Sequence, residues 1–201
     1  MPVELQLALA PVDRPTSSAY VAGVSESETP RTSPPYAADE VTMLRAFLDY
    51  YRSTIRRQTD GLTAEQLAVR LPPSTMTLGG MLKHLAGVEE WWLSIVMQGN
   101  DPSPYWAAAD EEDDVDWDWN SAVDDDPAFL AQLFDEARAK SDRILDELLE
   151  DGSLDRPAVR TRDNGDRATL RWVLVHLIEE YARHAGHADL IRESIDGATD
   201  L

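Results

Sequence analysis

The sequence contains no cysteine, and this absence removes several kinds of chemistry from the chain itself. Disulfides, thiolate ligands to a metal and a cysteine nucleophile are all excluded, so any bound metal must use nitrogen and oxygen donors. If the protein carries out sulfur chemistry, the thiol must come from a second molecule.

The chain also lacks long apolar runs and has little positive charge. No apolar stretch reaches the ~18–20 residues that cross a bilayer, and residues 1–10 lack the basic start of a signal peptide. Only 18 basic side chains stand against 38 acidic ones, and the resulting net charge of −20 repels phosphate backbones and anionic bilayers. We therefore expect a cytoplasmic protein that binds neither nucleic acid nor membrane.

The first 36 residues lack a sustained apolar period. They repeat proline, serine, threonine and glycine, which is the composition of a flexible arm. From residue 37 onward the pattern changes to that of a folded domain with enough length for a sizeable core. The sequence predicts a flexible N-terminal segment over residues 1–36 and a single domain over residues 37–201.

Within that domain, four long stretches repeat apolar residues every three or four positions, which is the pattern of amphipathic helices. The predicted helices cover residues 39–61, 77–98, 127–152 and 168–194. Glycines follow or end these stretches, as is common at helix C-termini. Because no strand pattern accompanies them, the sequence predicts an all-α four-helix bundle.

A long acidic insert separates the second and third predicted helices. Residues 99–125 contain prolines, a run of aspartates and glutamates, and the three tryptophans Trp106, Trp117 and Trp119. Charge and proline oppose regular structure, so we expect either a solvated loop or a lid. The acidic run over residues 110–116 lacks the spacing and the glycine of an EF-hand loop, which favours a solvated charge run over a calcium site.

Three of the four histidines lie in the last predicted helix, close to a glutamate. At about 100° per residue, His176, Glu180, His184 and His187 project within an arc of roughly 80° on one helix face. The fourth histidine, His84, lies in the second predicted helix and could meet that face across the bundle. Imidazole nitrogen and carboxylate oxygen suit Zn²⁺, Ni²⁺, Fe²⁺ or Mn²⁺, and bundle cores commonly hold such ions between facing helices.

The alternative for any one of these histidines is a satisfied core or boundary residue. Clustering argues against it, because burying several imidazoles and a glutamate is costly unless something pairs them. Glu180 and His184 form an i, i+4 pair whose side chains start about 5–6 Å apart. We therefore predict that His84, Glu180 and His184 bind a divalent metal and leave positions open for water or substrate.

Four features of the sequence occur together in the order in which a known family has them. They are the long first helix, the segment LKHLAGVE over residues 82–89 followed by two tryptophans, the acidic crossover, and the segment EYARHAGH over residues 180–187. With them, residues 39–197 resemble the DinB-like superfamily, particularly the actinobacterial branch that includes mycothiol-dependent maleylpyruvate isomerase. That family usually offers one histidine on its second helix, and two histidines four apart followed by Arg-Gly-Gln on its last helix.

The resemblance assigns places to the candidate residues. His84 takes the helix-two place, Glu180 the first place of the last-helix pair, and His184 the second. Glutamate in the first place departs from the usual pattern. The resulting set of two histidines and one glutamate is the ligand set of the mycothiol-dependent isomerase branch. His187 takes the place of the motif glutamine, where a residue supports the ligands or faces the substrate. His176 lies one turn before Glu180 and could be a spare ligand, but the resemblance gives it no metal role, which favours packing or a supporting hydrogen bond.

Charged residues beside the site have competing interpretations. Arg183 flanks the predicted ligands and could hold a substrate carboxylate, although arginines on helix surfaces are usually just solvated. Glu90 and Glu179 are expected to face solvent or to pair with arginines. The sequence assigns no catalytic acid, base or nucleophile.

The resemblance implies a divalent metal that is often zinc or nickel, and thiol transfer or isomerisation chemistry with a low-molecular-weight thiol such as mycothiol. The leading hypothesis is accordingly a metal-dependent enzyme of thiol-transferase or isomerase type that activates a thiol or water and acts on a small molecule. Two alternatives stay open: a noncatalytic bundle that binds a metal or small molecule, and a metal-free interaction protein that dimerises. Because bundles of this family often pair, a homodimer is also an open expectation.

Overall fold

The computed structural model describes residues 31–109, 114–162, 164–199 and 201. The predicted flexible segment over residues 1–36 lies mostly outside these residues and stays a prediction. Within the described ranges there is no strand, and one isolated bridge joins Pro157 to Thr169. None of the described helices is long and apolar enough to cross a membrane.

Four long helices dominate the fold, which confirms the predicted all-α bundle. In chain order the helices are α1 (Glu40–Thr59), α2 (Ala64–Leu67), α3 (Leu78–Glu89) with a π-helical continuation (Glu90–Met97), α4 (Pro104–Ala107), α5 (Trp117–Asn120) with a 3₁₀ turn (Ser121–Asp124), α6 (Pro127–Leu148) and α7 (Leu170–Asp196). The predicted bounds of the long helices differ from these by at most four residues.

Side-chain caps explain where the long helices begin. Asp39, Thr77, Asp126 and Thr169 each accept a hydrogen bond from a backbone N–H of the following first turn, which satisfies a donor that the helix cannot pair internally. At the other end of α7, Gly197 adopts the left-handed conformation with φ 77°, which glycine adopts without the steric cost of a Cβ.

The bundle forms because each long helix buries one apolar stripe. Helix α1 packs mainly on α7, α3 packs mainly on α6, and α3 also contacts α7. The core lies between them and includes Leu48, Ile55, Leu82, Leu85, Phe134, Leu145, Val173 and Leu177. The contact between α3 and α7 places the second predicted helix against the histidine-bearing face of the last.

A buried ionic network, which the sequence pattern did not reveal, ties all four long helices together. The Arg52 guanidinium is fully buried and donates to both carboxylate oxygens of Glu89 at 2.7 Å and to Asp142 at 2.8 Å. The Tyr181 hydroxyl donates to Glu89 at 2.9 Å. Burial, reinforced by the neighbouring carboxylate, raises the pKa of Tyr181 well above its usual value, so the hydroxyl keeps its proton.

The second predicted helix changes pitch at Glu90 and continues as a π-helix. Such segments are rare and frequently occur at functional sites. The altered pitch leaves Trp91 about half exposed, at 51%, while Trp92 is partly buried. No local sequence signal predicted this change, and it determines which cavities these two tryptophans line.

The π-helical turn also buries a glutamate that the sequence did not predict to be buried. Glu90, expected in solvent or beside an arginine, is buried, and its carboxylate accepts hydrogen bonds from Lys140 Nζ at 2.6 Å and from the Ser103 backbone N–H at 2.9 Å. The π-helical segment packs on α6, which brings this lysine within reach. Glu179 behaves as expected, because it is half exposed and pairs with Arg183.

The acidic insert is more regular than its composition predicted. It forms α4, α5 and a 3₁₀ turn, so the expectation that charge and proline would exclude regular structure was wrong here; residues 110–113 lie outside the described residues. The reason is a buried cation on α3: Lys83 Nζ donates to Ser121 and Asp125 at 2.7 Å each and lies 4.1 Å from the Trp117 ring centroid. These contacts fasten the insert to the bundle.

Close packing of the insert on α3 makes Gly80 sensitive to substitution. A Cβ at Gly80 would lie 2.7 Å from Trp119 Cε3, whereas a Cβ at Gly186 on α7 would meet nothing within 4 Å. We expect Gly80→Ala to lower the free energy of unfolding by about 1–3 kcal/mol through overpacking, and Gly186→Ala to raise it by about 0.5–1 kcal/mol through helix propensity. Urea titration measures both, and equal effects would show that Trp119 does not pack on α3.

Candidate metal centre

The bundle brings His84 of α3 together with Glu180 and His184 of α7. Each of the three offers a ligand atom, and these atoms all lie within 4.8 Å of one another. His184 Nε2 lies 3.6 Å from Glu180 Oε2, which is too long for a hydrogen bond. Two ligands about 2.1 Å from one tetrahedral ion would be roughly 3.4 Å apart, so this spacing fits a shared ion.

The protonation of His184 also fits a metal ligand. The residue is 5% exposed, and its Nδ1 is buried without a hydrogen-bond partner among the described residues. Burial, assisted by the nearby imidazoles of His84 and His187, lowers the pKa of His184 to about 4. The ring is therefore neutral at pH 7, which is the form that binds metals.

An aspartate of the acidic insert orients His84. Asp118 Oδ2 lies 2.7 Å from His84 Nδ1, and Asp118 Oδ1 accepts the Trp119 backbone N–H at 2.9 Å. When Nδ1 carries the proton and donates it to this carboxylate, Nε2 keeps a free lone pair. Carboxylate–histidine pairs of this kind commonly fix the tautomer and ring orientation of metal-binding histidines. The composition of the insert did not indicate this role for Asp118, because only the folded insert brings that carboxylate to His84.

The insert also covers the site. The Trp119 ring packs on His84 with centroids 4.8 Å apart and on His184 with centroids 5.4 Å apart. This part of the insert therefore packs against two of the candidate ligands, and whether it acts as a lid stays a prediction. The indole covers part of both imidazoles and contributes to the burial that lowers the pKa of His184.

His176 lies in an aromatic cluster one helical turn before Glu180. Its ring stacks on Trp172 at 4.9 Å and 20° and meets Trp92 edge-on at 4.9 Å. Its Nε2 lies 3.7 Å from Glu180 Oε1, and its Nδ1 lies 3.3 Å from Glu179 Oε2. His176, Glu179 and Glu180 form a second group with metal-capable atoms. In this group, however, Glu179 is half exposed and already paired with an arginine.

The two remaining candidates differ in position. His187 lies beside His184 with ring centroids 5.9 Å apart, and its Nδ1 is buried without a partner among the described residues. Arg183 is exposed and pairs with Glu179 on the surface of α7. The structure therefore brings His187 to the candidate site, while the Arg183 guanidinium is engaged on the helix surface.

A cavity of about 380 Å³ opens beside His84. Its lining includes His84, Asp118, Trp91, Trp92 and Trp106. A largely apolar, aromatic wall with a few convergent polar groups at one place is the usual construction of a small-molecule site. One candidate ligand, His84, thus lines a space that a substrate could occupy.

The pKa of His184 predicts a loss of stability in acid for the metal-free protein. An ordinary histidine titrates near pH 6.5, whereas His184 titrates near 4, and burial lowers the pKa of His176 as well. The unfolded chain therefore binds protons first, so the free energy of unfolding falls as the pH drops through the window from about 6.5 to about 4. Between pH 7 and pH 5 we expect His184 to contribute a loss of about 2 kcal/mol.

Urea titrations in EDTA at pH 7 and pH 5 measure this loss. His184→Gln serves as the control, because it removes the titrating ring but leaves the carboxylates that also respond to acid. The variant should lose correspondingly less stability than the parent protein. Equal losses in both would contradict a buried, neutral His184.

Two histidines and a glutamate converging between the helices of an all-α bundle define a class: helical-bundle proteins with a candidate metal centre that leaves coordination positions open. The family model described as Mycothiol-S-transferase matches residues 43–197, so the chain belongs to the mycothiol S-transferase family. This confirms the resemblance to the mycothiol-related branch of the DinB-like superfamily. A search of curated proteins found no match.

Proposed function

We propose that the protein is a divalent-metal-dependent thiol S-transferase in which His84, Glu180 and His184 hold the ion. The observation that carries the proposal is their convergence, with ligand atoms within 4.8 Å beside an aromatic-walled cavity. Family membership supports thiol transfer with mycothiol or a similar low-molecular-weight thiol as co-substrate. Zinc and nickel both suit a donor set of nitrogen and oxygen.

A divalent ion in this site would lower the pKa of a coordinated thiol, supplying the thiolate that the cysteine-free chain lacks. The protein's own side chains prepare the site for this. Asp118 holds His84 by its Nδ1, which directs Nε2 away from the carboxylate. Trp119 packs on the two imidazoles, and we assign His187 to the substrate side.

In the transfer, the thiol sulfur forms a bond to an electrophilic carbon of the second substrate. Where that carbon carries a leaving group, the group departs with the bonding electron pair and the thiol proton passes to solvent. In an isomerisation the thiol would instead add to a carbon–carbon double bond, whose electron pair moves to the neighbouring carbon, and the return of that pair would re-form the double bond and expel the thiol. Both reactions suit a cavity that one candidate ligand, His84, lines.

The test begins with protein purified without an affinity tag. We expect about one equivalent of divalent metal per chain by elemental analysis, and metal-dependent adducts by mass spectrometry when the protein is incubated with mycothiol and a panel of alkyl halides and epoxides. EDTA should abolish adduct formation, and Zn²⁺ or Ni²⁺ should restore it.

The alternatives give different results. Stoichiometric metal without adducts across the panel would favour a noncatalytic metal-binding bundle. Protein that contains no metal and forms no adducts would favour a metal-free interaction protein, and sedimentation would then show whether the expected homodimer exists. A cytoplasmic location stays a prediction.

A further inference from the structure

Two cavities adjoin along the tryptophans of the π-helical segment. Trp91 and Trp92 line the 380 Å³ cavity beside His84, and they also line a second cavity of about 650 Å³. Arg160 and Arg162 are among the residues that line the second cavity. We call the two together the tryptophan groove; it has the candidate metal ligand at one end and two guanidinium groups at the other.

The loop that carries the arginines is fixed to the same π-helical segment. The backbone N–H groups of Val159 and Arg160 donate to the carbonyl oxygens of Met97 and Val96 at 3.2 and 3.1 Å. A Cβ at Gly99 would lie 2.5 Å from Val159 Cγ1, so the loop and the end of the helix are in close contact. These contacts therefore fix the position of the arginine-bearing loop relative to the two tryptophans.

Arg162 is connected to the candidate metal centre through two aromatic rings. Its guanidinium lies 5.4 Å from the Trp172 ring centroid, Trp172 stacks on His176, and His176 Nε2 lies 3.7 Å from Glu180 Oε1. Among the described residues no carboxylate lies within ion-pairing distance of Arg162. Within the described part of the chain, its charge is therefore not neutralised by a carboxylate and faces a ligand that extends from the His84 end of the groove.

Arg160 is partly engaged. One of its guanidinium nitrogens donates to the Asn100 carbonyl at 2.8 Å, and it lies 3.8 Å from Asp101, whose side chain is fully exposed. The remaining donors can still contribute to an anion held mainly by Arg162. The net charge of −20 repels polyanions, so a local pair of cations in this chain suits a compact monoanion better.

We propose that the tryptophan groove binds the electrophilic substrate as an organic carboxylate. The carboxylate lies at Arg162, assisted by Arg160, in the paired geometry that guanidinium groups offer. The apolar body lies against Trp91 and Trp92, and the reactive carbon lies toward His84. This inference rests on the proposed function, since it names the class of the second substrate, but the binding step itself needs no metal.

A matched pair of ligands tests the charge requirement. We would titrate EDTA-treated protein with 3-phenylpropanoate and with 3-phenylpropanamide, which share size and shape, using calorimetry and ligand-observed NMR. We expect the acid to bind at least about five-fold more tightly than the amide at low ionic strength, with the difference shrinking in salt. Trp91→Ala should weaken both ligands.

Variants localise the effect. Arg162→Gln should remove the preference for the acid and leave amide binding unchanged, and Arg162→Lys should keep part of the preference. Arg143→Gln, an exposed arginine on α6, is the matched control and should change neither affinity. Equal affinity for the two ligands, no binding of either, or identical behaviour of Arg162→Gln and Arg143→Gln would overturn the inference.

Failure of this inference is distinguishable from failure of the proposed function. Because binding is measured without metal, a protein that prefers the acid but takes up no divalent ion disproves only the metal-dependent activity. Conversely, metal-dependent thiol adducts that form equally well with neutral and anionic electrophiles, and that are unaffected by Arg162→Gln, disprove only the carboxylate site.

Discussion

Glu180→Gln is expected to weaken Zn²⁺ binding by about 100-fold or more, because even a residue that only supports a metal ligand costs 10–100-fold when it is lost. The amide removes the negative charge of one of three candidate ligands and leaves the helix intact. Glu179→Gln is the matched control, since this neighbouring carboxylate is half exposed and paired with Arg183. Its affinity should stay within about two-fold of the parent. Competition with a chromophoric chelator measures both.

His184→Ala should behave like Glu180→Gln, whereas Asp118→Asn should have an intermediate effect of about 10–100-fold. The asparagine variant also has a readout that does not depend on metal: the ¹⁵N shifts of His84 should show a redistribution of its tautomers in the metal-free protein. If Glu180→Gln and Glu179→Gln bind Zn²⁺ equally well, the ion does not occupy the proposed site.

Loss of the buried carboxylate at Glu89 should cost the most stability. Glu89→Gln leaves the fully buried guanidinium of Arg52 without its bidentate partner, and breaking a buried ion pair from one side typically costs about 3–5 kcal/mol. That is a large part of the about 5–15 kcal/mol that stabilises most domains. Urea denaturation followed by circular dichroism measures the change.

Two further variants show whether the cost comes from an uncompensated charge. Asp146→Asn removes the partner of Arg45 in an exposed pair and should cost no more than about 1 kcal/mol. The double variant Arg52→Met/Glu89→Leu removes both buried charges and should be more stable than Glu89→Gln. A Glu89→Gln variant as stable as Asp146→Asn would mean that water reaches Arg52.

The sequence predicted those features that depend on local periodicity. The four long helices follow from apolar spacing and from caps such as Thr77, and the spacing of Glu180 and His184 on one helix face needs only helical geometry. His84 approaches these two residues only because α3 packs against α7. The bundle hypothesis and the family resemblance together predicted that contact. The comparisons confirm the family, while the metal remains a proposal.

What the sequence could not predict depends on pairings between distant residues. Arg52 and Glu89 look like ordinary surface charges in their own helices, and only the packed bundle makes them partners. The π-helical pitch at Glu90 has no local signature. The role of Asp118 depends on how the insert folds back on α3. The sequence did carry one indication of that contact, because Lys83 is a lone lysine in an apolar stretch and needs an acidic partner.

The adjacency of Lys83 and His84 has a consequence for exchanging parts between relatives. One residue anchors the insert and the next is a candidate ligand oriented by that insert. A chimaera that replaces the insert alone would leave the buried Lys83 ammonium without its carboxylate partner. It would also remove the Asp118 carboxylate that orients the His84 ring. The smallest segment that can be exchanged is therefore residues 117–125 together with the first two turns of α3. Both parts must be taken from the same relative.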